Sequence, residues 1–428
     1  MGENGHLISL EGSPREAGAA FGSANAGDIR DDVKRFFKEA KEHEGFTARR
    51  LTKFGKAYAA LVERYAPHWL EEAEGLARAA GVDTERYITY QGAKYRGINR
   101  PECFTWYTPP SWNRDKVGLF HKNRDNKARP QCAYVKALNV PGKRIHRFMA
   151  SGDTMDMGTM FGVNERGLAI AADTGEPDPH PLWRGMMNTD TMRLMLEQCR
   201  DVDEALAFLK QLQVDGVCAG GKLATNWMFA DARGRSLRVN QFVKCLVVKR
   251  GGRSGLVMRD ADPRGEIVRD EMRKRKGHLT ARDMNRLARC NPVLQETNCS
   301  SFTAVIPERH CGMFTCAWFA VAHAAQTVYV PLYMGVSATP ALLANGGLSR
   351  LSMAASGGKA LDVHPAHLLV DPNAFEHDME ADRVILEAHA QKVYRSEGRA
   401  AAAEVLTQGC LRFAERARQL LALMSGIH

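Results

Sequence analysis

No run of eighteen apolar residues occurs in the 428-residue chain, so no membrane-spanning helix is expected. The first ten residues, Met1 to Leu10, lack a basic stretch leading into an apolar core. No secretory leader is expected from that, and a cytoplasmic enzyme is the default. The ten cysteines include no Cys-x-x-Cys pair, and Cys290, Cys299, Cys311 and Cys316 lack zinc-knuckle spacing. Scattered cysteines in a cytosolic chain are reduced and buried as small hydrophobes, so neither a metal nor a cofactor is called for. Ser300-Ser301-Phe302-Thr303 has no flanking glycines of a nucleophile elbow. Gly220-Gly221-Lys222 and Gly357-Gly358-Lys359 lack the leading glycine and the spacing of a phosphate loop. Internal repeats and low-complexity segments are absent as well.

What is present is an ordinary globular composition, with 44% apolar and 25% charged residues. The formal net charge of +10 raises the question of nucleic acid. The basic residues are spread along the chain and interrupted by acids, however, with the densest stretches at Arg264 to Lys276 and Lys122 to Arg129. A solvated basic surface, which would also attract anionic substrates, is the plainer reading.

The first hundred residues read as helical. Ser13-Pro14-Arg15-Glu16 combines a capping serine, a proline at the first helical position and the glutamate of a capping box. Helical patterns follow over 31–42, 48–65, 68–80 with Gly81 as C-cap, and 84–92. From Cys103 the pattern changes to short strands: 103–107, 117–121, 133–138, 147–151, and a hairpin of 160–164 and 167–172 around Glu165-Arg166. Helices return over 189–198 and 202–212. Strands follow at 224–230, 236–242, 301–306 and 327–332, and a helical tail at 378–423 with a break near Ser396-Glu397-Gly398. This succession predicts an α+β fold, two sheets sandwiched between helical layers, with no linker to divide it.

The chemistry centres on Cys103, which follows Asn-Arg-Pro-Glu and opens a strand. The next strand runs through Gly118-Leu119-Phe120-His121 into Lys122-Asn123-Arg124-Asp125. A hairpin of this size returns Asp125 beside the start of the Cys103 strand. A thiol, a carboxylate and two cations can then converge, and neighbouring cations lower a thiol pKa. On these residues alone, a structural cysteine is the plainer reading, with a reactive one the alternative. His121 would face away from its strand neighbours, and Asn164 is read as the turn of its hairpin. Arg350 is a weaker candidate for binding a carboxylate.

The wider pattern resembles the isopenicillin N acyltransferase-like family of N-terminal-nucleophile (Ntn) cysteine hydrolases (acyl-coenzyme A:6-aminopenicillanic acid acyltransferase-like). The resemblance rests on motifs in order over residues 7–335. They are Leu10 to Gly18 with Phe21-Gly22, Glu102-Cys103-Phe104-Thr105, Lys122-Asn123-Arg124-Asp125, Gly162 to Leu168, Arg193 to Ala205, and Thr225 to Gly234. Against the family's pattern, Glu102 replaces a small residue and Phe104 a threonine or serine. Lys122 stands where related bile-salt-hydrolase-like enzymes have arginine, and Asn240 where glutamate is often seen. The segment Thr327 to Tyr333 looks more like that of the related cysteine dipeptidases.

The resemblance implies a four-layer αββα Ntn-hydrolase sandwich with a helical N-terminal segment and a helical C-terminal tail. It divides the chain into a pro-segment or small subunit, 1–102, and a core or large subunit, 103–428, folded together as one structural domain. It implies cleavage between Glu102 and Cys103, with Cys103 as nucleophile, Asp125 orienting its amine and Asn226 stabilising the oxyanion. Arg124 and Lys122 would lie near thiol or substrate, and Thr105, counted as substrate-binding, would help bind the amine or the cleavage intermediate. The expected activity is hydrolysis of a linear amide in an N-acyl amino compound or dipeptide-like substrate. Acyl transfer to an amine acceptor is the alternative, and a basic ligand- or nucleic-acid-binding protein with a structural Cys103 is the rival from another class. The partners implied are a small amide or acyl donor and the two fragments held together after cleavage. Homo-oligomerisation is left open, and neither nucleic acid nor membrane is expected.

Overall fold

The computed structural model describes residues 6–42, 47–94, 103–180, 186–217, 223–251, 255–258, 262–355 and 372–425. Two short strands, β1 (Leu7–Ile8) and β2 (Leu10–Gly12), lead into five helices: α1 (Pro14–Ala24), α2 (Ala26–Glu42), α3 (Ala48–Tyr65), α4 (His68–Ala80) and α5 (Thr84–Ala93). Strands β3 (Phe104–Thr108), β4 (Gly118–Asp125), β5 (Gln131–Leu138), β6 (Phe148–Asp153), β7 (Phe161–Asn164) and β8 (Ala169–Pro177) follow. Next come α6 (Asn188–Gln198), α7 (Val202–Val214), β9 (Leu223–Ala230), β10 (Ser236–Gln241), β11 (Leu246–Arg250) and β12 (Leu256–Val257). After α8 (Pro263–Lys274) and α9 (Ala281–Ala288) the chain forms β13 (Asn298–Ile306), α10 (Cys311–Phe314), β14 (Cys316–Ala320), β15 (Val330–Tyr333) and β16 (Thr339–Pro340). Helices α11 (Ala341–Ala344), α12 (Gly347–Ala355), α13 (Pro372–Ser396) and α14 (Arg399–Ser425) complete the described chain.

Local chemistry sets the boundaries. Ser13 accepts from the Glu16 amide while Glu16 reaches back to the Ser13 amide, closing the expected capping box. Gly81 ends α4 at φ 72°, in the left-handed region that favours glycine. In the β7–β8 turn, Asn164 Oδ1 accepts from the Arg166 and Leu168 amides, and its Nδ2 donates to the Leu196 and Cys199 carbonyls. Asn164 is thus a turn former that also ties the hairpin to α6.

The strands form an eight-stranded sheet, β11-β10-β9-β8-β7-β6-β5-β2, and a six-stranded sheet, β12-β3-β4-β13-β14-β15. The pairings are antiparallel except β2 with β5. The sheets face each other through alternating inward side chains. Phe161 of the larger sheet stacks on Phe302 of the smaller at 4.6 Å between centroids. Alternation sends Ile170, Ala172, Trp227 and Phe229 to the opposite face, into a core shared with α1 to α7. Helices α8, α9, α13 and α14 contribute to the core of the six-stranded sheet. The predicted four-layer αββα sandwich is therefore observed.

A buried ionic network joins the N-terminal helices to the rest. Glu72 on α4 receives Lys136 Nζ at 2.5 Å and pairs with Arg193, which also donates to Glu197 at 2.8 Å. His68 and Trp69 of α4 reach the same Glu197. Burial alone would raise the Glu72 carboxyl, but Arg193 and Lys136 overcome it and hold it at about 2. Removing one partner of such a set leaves buried charges uncompensated. Glu72→Ala should accordingly lower the unfolding free energy by about 3–5 kcal/mol, read as a lower midpoint in urea.

Candidate active site

Strands β3 and β4 pair with Thr105 opposite Lys122 and Phe104 opposite Asn123. Cys103, one residue before β3, therefore lies at the Arg124–Asp125 end of β4. Its Sγ stands 3.9 Å from the Asp125 carbonyl oxygen. Of the thiol, carboxylate and two cations expected to converge, Cys103, Asp125 and Lys122 come together, and Arg124 does not. Thr105, Lys122 and Arg124 point into the space between the sheets, where they meet the larger sheet.

On that opposing sheet, pairing aligns Asp173 of β8 with Asn226 of β9, and Asn226 with Asn240 of β10. Asp173 is the bridge between the two sheets. Its Oδ1 accepts from Thr105 Oγ1 at 2.7 Å and from the Lys122 ammonium, which also donates to the Ala172 carbonyl at 2.8 Å. Asp173 was not singled out in the sequence, where it reads as the polar end of an apolar strand. Only the alternation of Ala169, Ala171 and Asp173 pointed inward.

The electrostatics differ from the sequence expectation. Burial pushes the Cys103 thiol above its ordinary pKa. Lys122 lowers it, but Asp173 and Asp125 raise it again. A cation is near, as anticipated, yet in the uncut chain desolvation and two carboxylates outweigh it. Burial also opposes the Lys122 charge, but Asp173, together with Cys103 and Asp125, outweighs this and raises its pKa. Asp125 is raised to about 7 by burial, against the lowering effects of Lys122, an Asn298 hydrogen bond and Arg264. A buried carboxyl poised near neutrality beside a thiol is a common mark of functional chemistry.

Arg124 is placed differently from Lys122. Its guanidinium donates to Asp153 at 2.6 Å and to Gln131 at 2.5 Å across the interior, and its charge is matched there. Arg264, at the start of α8, instead brings Nη1 to 3.8 Å from Asp125 Oδ2 and lies over the Phe104 ring. The sequence marked this residue only as the start of a basic stretch. Its position beside Asp125 depends on a packing of α8 that no local signal reveals.

Three buried oxygens around this centre have no hydrogen-bond donor among the described residues: Asp125 Oδ2, Asp173 Oδ2 and Asn226 Oδ1. Buried polar atoms are normally satisfied, so these three oxygens are places where a ligand could bond. For Asn226, the amide nitrogen and oxygen are exchanged by a half-turn of the side chain. The same position then holds an unpartnered donor.

The remaining candidates fall elsewhere. His121 faces the outer helical layer, stacked on Trp106 at 4.0 Å, and burial depresses its pKa to about 3. Arg350 pairs with Asp28 and donates to the Asn345 carbonyl. No group of metal-ligating side chains is found among the described residues. Among them also, no helix is long and apolar enough to cross a membrane. Glu102, the expected residue before the cut, lies outside the described residues, as do both Gly-Gly-Lys motifs.

Comparison with known proteins agrees with the resemblance drawn from the motifs. The family model "Acyl-coenzyme A:6-aminopenicillanic acid acyl-transferase" matches residues 112–291. That stretch carries Lys122, Asp125, Asp173, Asn226 and Arg264, and begins after Cys103. Among solved structures, penicillin V acylase from Agrobacterium tumefaciens is similar, with 12% identity and TM-score 0.41 over 54% of this chain and 86% of that one. A variant of conjugated bile acid hydrolase from Clostridium perfringens has 14% identity and TM-score 0.38 over 54% and 92%. An N-acylethanolamine-hydrolyzing acid amidase ortholog from Caenorhabditis elegans has 10% identity and TM-score 0.36 over 48% and 93%. No curated protein matches the chain.

Proposed function

We propose that the chain is a self-processing cysteine amidohydrolase that cleaves a linear amide through a Cys103 acyl-enzyme. The observation that carries the reading is the position of Cys103. It opens β3 with its sulfur at the Asp125 end of β4, facing Lys122 and Asp173, in a fold of two sheets between helices.

In the precursor, the Cys103 thiol attacks the Glu102 carbonyl. The acyl group passes from nitrogen to sulfur, and water hydrolyses the thioester to give a free Cys103 amine and a Glu102 carboxylate. The α-amino group has a pKa near neutrality and takes the thiol proton as general base. Asp125, whose Oδ2 has no donor, accepts a hydrogen bond from that new ammonium. Lys122, held charged by Asp173, stabilises the thiolate. The thiolate then attacks the substrate amide carbonyl. Asn226 Nδ2 donates to the oxyanion, the amine leaves with a proton from the Cys103 ammonium, and water releases the acid. Thr105, fixed by Asp173, lines the same space and contacts the substrate amine.

Cleavage would divide the chain into fragments 1–102 and 103–428. The Glu72–Lys136–Arg193 network crosses that division, so the fragments stay together as one folded unit. If an amine reaches the acyl-enzyme before water, the same site performs acyl transfer, the reaction in the name of the matching family.

The test is trapping of the acyl group. Wild-type protein quenched during turnover of N-acyl amino acid 4-nitroanilides should show fragment 103–428 heavier by one acyl group. Added glycine should yield the N-acylglycine if transfer competes with hydrolysis. Absence of any adduct across short- and long-chain acyl groups, together with salt-sensitive binding of nucleic acid, would favour a binding protein instead. Asn226→Ala should lower kcat by about 10²–10³-fold with KM little changed, the usual cost of one oxyanion donor.

A further inference from the structure

The face of the six-stranded sheet turned away from the larger sheet carries a string of buried polar side chains that the chemistry above does not use. It begins at Asn298, which pairs with Asp125 at the register irregularity between Asn298 and Ser300. Asn298 Oδ1 accepts the Ala324 amide at 2.9 Å, and this fixes which way the side chain points. Its Nδ2 is left to donate toward Asp125 Oδ1 at 3.3 Å, the Arg124 carbonyl at 3.2 Å and Ser301 Oγ at 3.3 Å. Ser301 in turn donates to Asn123 Oδ1 at 2.7 Å, and Asn123 is locked by donation to the Ala288 carbonyl at 3.0 Å. His121 Nε2 donates to the same Asn123 oxygen at 3.0 Å. With its pKa depressed by burial, His121 stays neutral and the string keeps one hydrogen-bond order at neutral pH.

We propose that Asn298 is the positioning residue for Asp125: it holds one carboxylate oxygen and leaves the other, which Arg264 approaches only to 3.8 Å, to receive a hydrogen bond from the Cys103 amine. The proposal rests on the reading that Asp125 holds that amine. The arrangement has a direction. Asn298 is committed as an acceptor to Ala324, so it can offer Asp125 only a donor, and only at Oδ1. Asp125 Oδ2 is consequently the oxygen without a hydrogen bond.

Asn298→Asp tests this in the full-length chain. The substitution keeps the shape and the acceptor for the Ala324 amide but exchanges the donor for a second carboxylate oxygen. Two carboxylates this close share a proton, so Asp125 regains a donor only when the pH is low enough to supply one. The other groups facing Asp125 are unchanged: Lys122 on β4, Arg264 on α8, Asp173 on β8 and the Cys103 thiol. Turnover of an N-acyl amino acid 4-nitroanilide by the cleaved chain should slow about 100-fold at pH 8, the scale of a misplaced catalytic group. The deficit relative to wild type should shrink steadily toward pH 5. Ser301→Ala, which frees one side of Asn298, should slow turnover several-fold with no pH trend in the ratio to wild type. A merely structural role for Asn298 predicts a loss that is equal at every pH. That result, or wild-type rates in a folded Asn298→Asp chain, overturns the proposal. If wild type itself stays uncut, no Cys103 amine forms, and the processing reading falls and takes the positioning role with it; a cut wild type with a pH-independent deficit overturns the positioning role alone.

Discussion

Freshly purified wild-type protein should resolve by intact mass into fragments 1–102 and 103–428, and Cys103→Ala should remain a single chain of 428 residues. The substituted side chain is small and 6% exposed, so the change removes a sulfur without opening a large cavity. Circular dichroism and the urea midpoint should stay close to wild type. Amide turnover should fall by on the order of 10⁴-fold or more, the scale set by losing a covalent nucleophile. The effect is this large because the groups described around the thiol are poor substitutes for it: the neighbouring Cys299 thiol is pushed up to about 12, chiefly by burial. Thr105 donates its proton to Asp173, and His121, the one imidazole on the adjoining strand, faces the opposite side of the sheet. A wild-type chain that keeps the Glu102–Cys103 bond would remove the amine base from the mechanism. An unprocessed cysteine enzyme or a binding protein would then be the better reading.

How much of this was legible in the sequence follows from the range of the interactions involved. Capping and turn chemistry act over three or four residues, so α1, α3, α4 and the Asn164 turn lie within a residue or two of expectation. The tail helix breaks at Gly398, as its composition indicated, although α13 begins several residues earlier than the periodicity showed. Helices α8 and α9 and strands β11 and β14 were not anticipated. Helix α8 is crowded with arginine, glutamate and aspartate and has a weak apolar stripe, so its helical period is hard to see. The site divides in the same way. Cys103 and Asp125 are joined by one hairpin and could be paired from sequence. Asp173, Arg264 and Asn298 reach the centre through contacts 68, 139 and 173 residues away in the chain, counted from Thr105 to Asp173 and from Asp125 to the other two. Strand β4 shows the difficulty most clearly. His121 to Asp125 reads as a polar edge, yet all five residues are buried, because their partners come from the opposing sheet and from β13.

Asp125→Asn should have two effects of opposite sign. In the otherwise wild-type chain the amide cannot hold the Cys103 ammonium as a carboxylate does. Amide turnover should fall by about 10³–10⁴-fold, the upper figure being that for neutralising the orienting carboxylate of a serine triad. In a Cys103→Ala background, where no cleavage occurs, the same substitution should stabilise the fold at alkaline pH. The sign follows from linkage. Burial raises the folded pKa of Asp125 from 3.8 to about 7. Below about pH 4 both folded and unfolded chains hold the proton, and the group makes no difference. Between about pH 4 and 7 the unfolded chain releases it first, so stability falls by about 1.4 kcal/mol per pH unit, approaching 4 kcal/mol above neutrality. An amide does not titrate and escapes this loss. Asp125→Asn should thus raise the unfolding free energy by about 2–4 kcal/mol at pH 8 and leave it nearly unchanged at pH 4, as measured by urea unfolding at both values. A carboxylate that destabilises the uncut fold despite Lys122 and Arg264, and gains a further cation when Cys103 acquires a free amine, is understandable as part of the chemistry, not of the scaffold. Equal stability of the two chains at pH 8 would show that Asp125 is already comfortably ionised in the precursor, and its assignment as the group awaiting that amine would be lost.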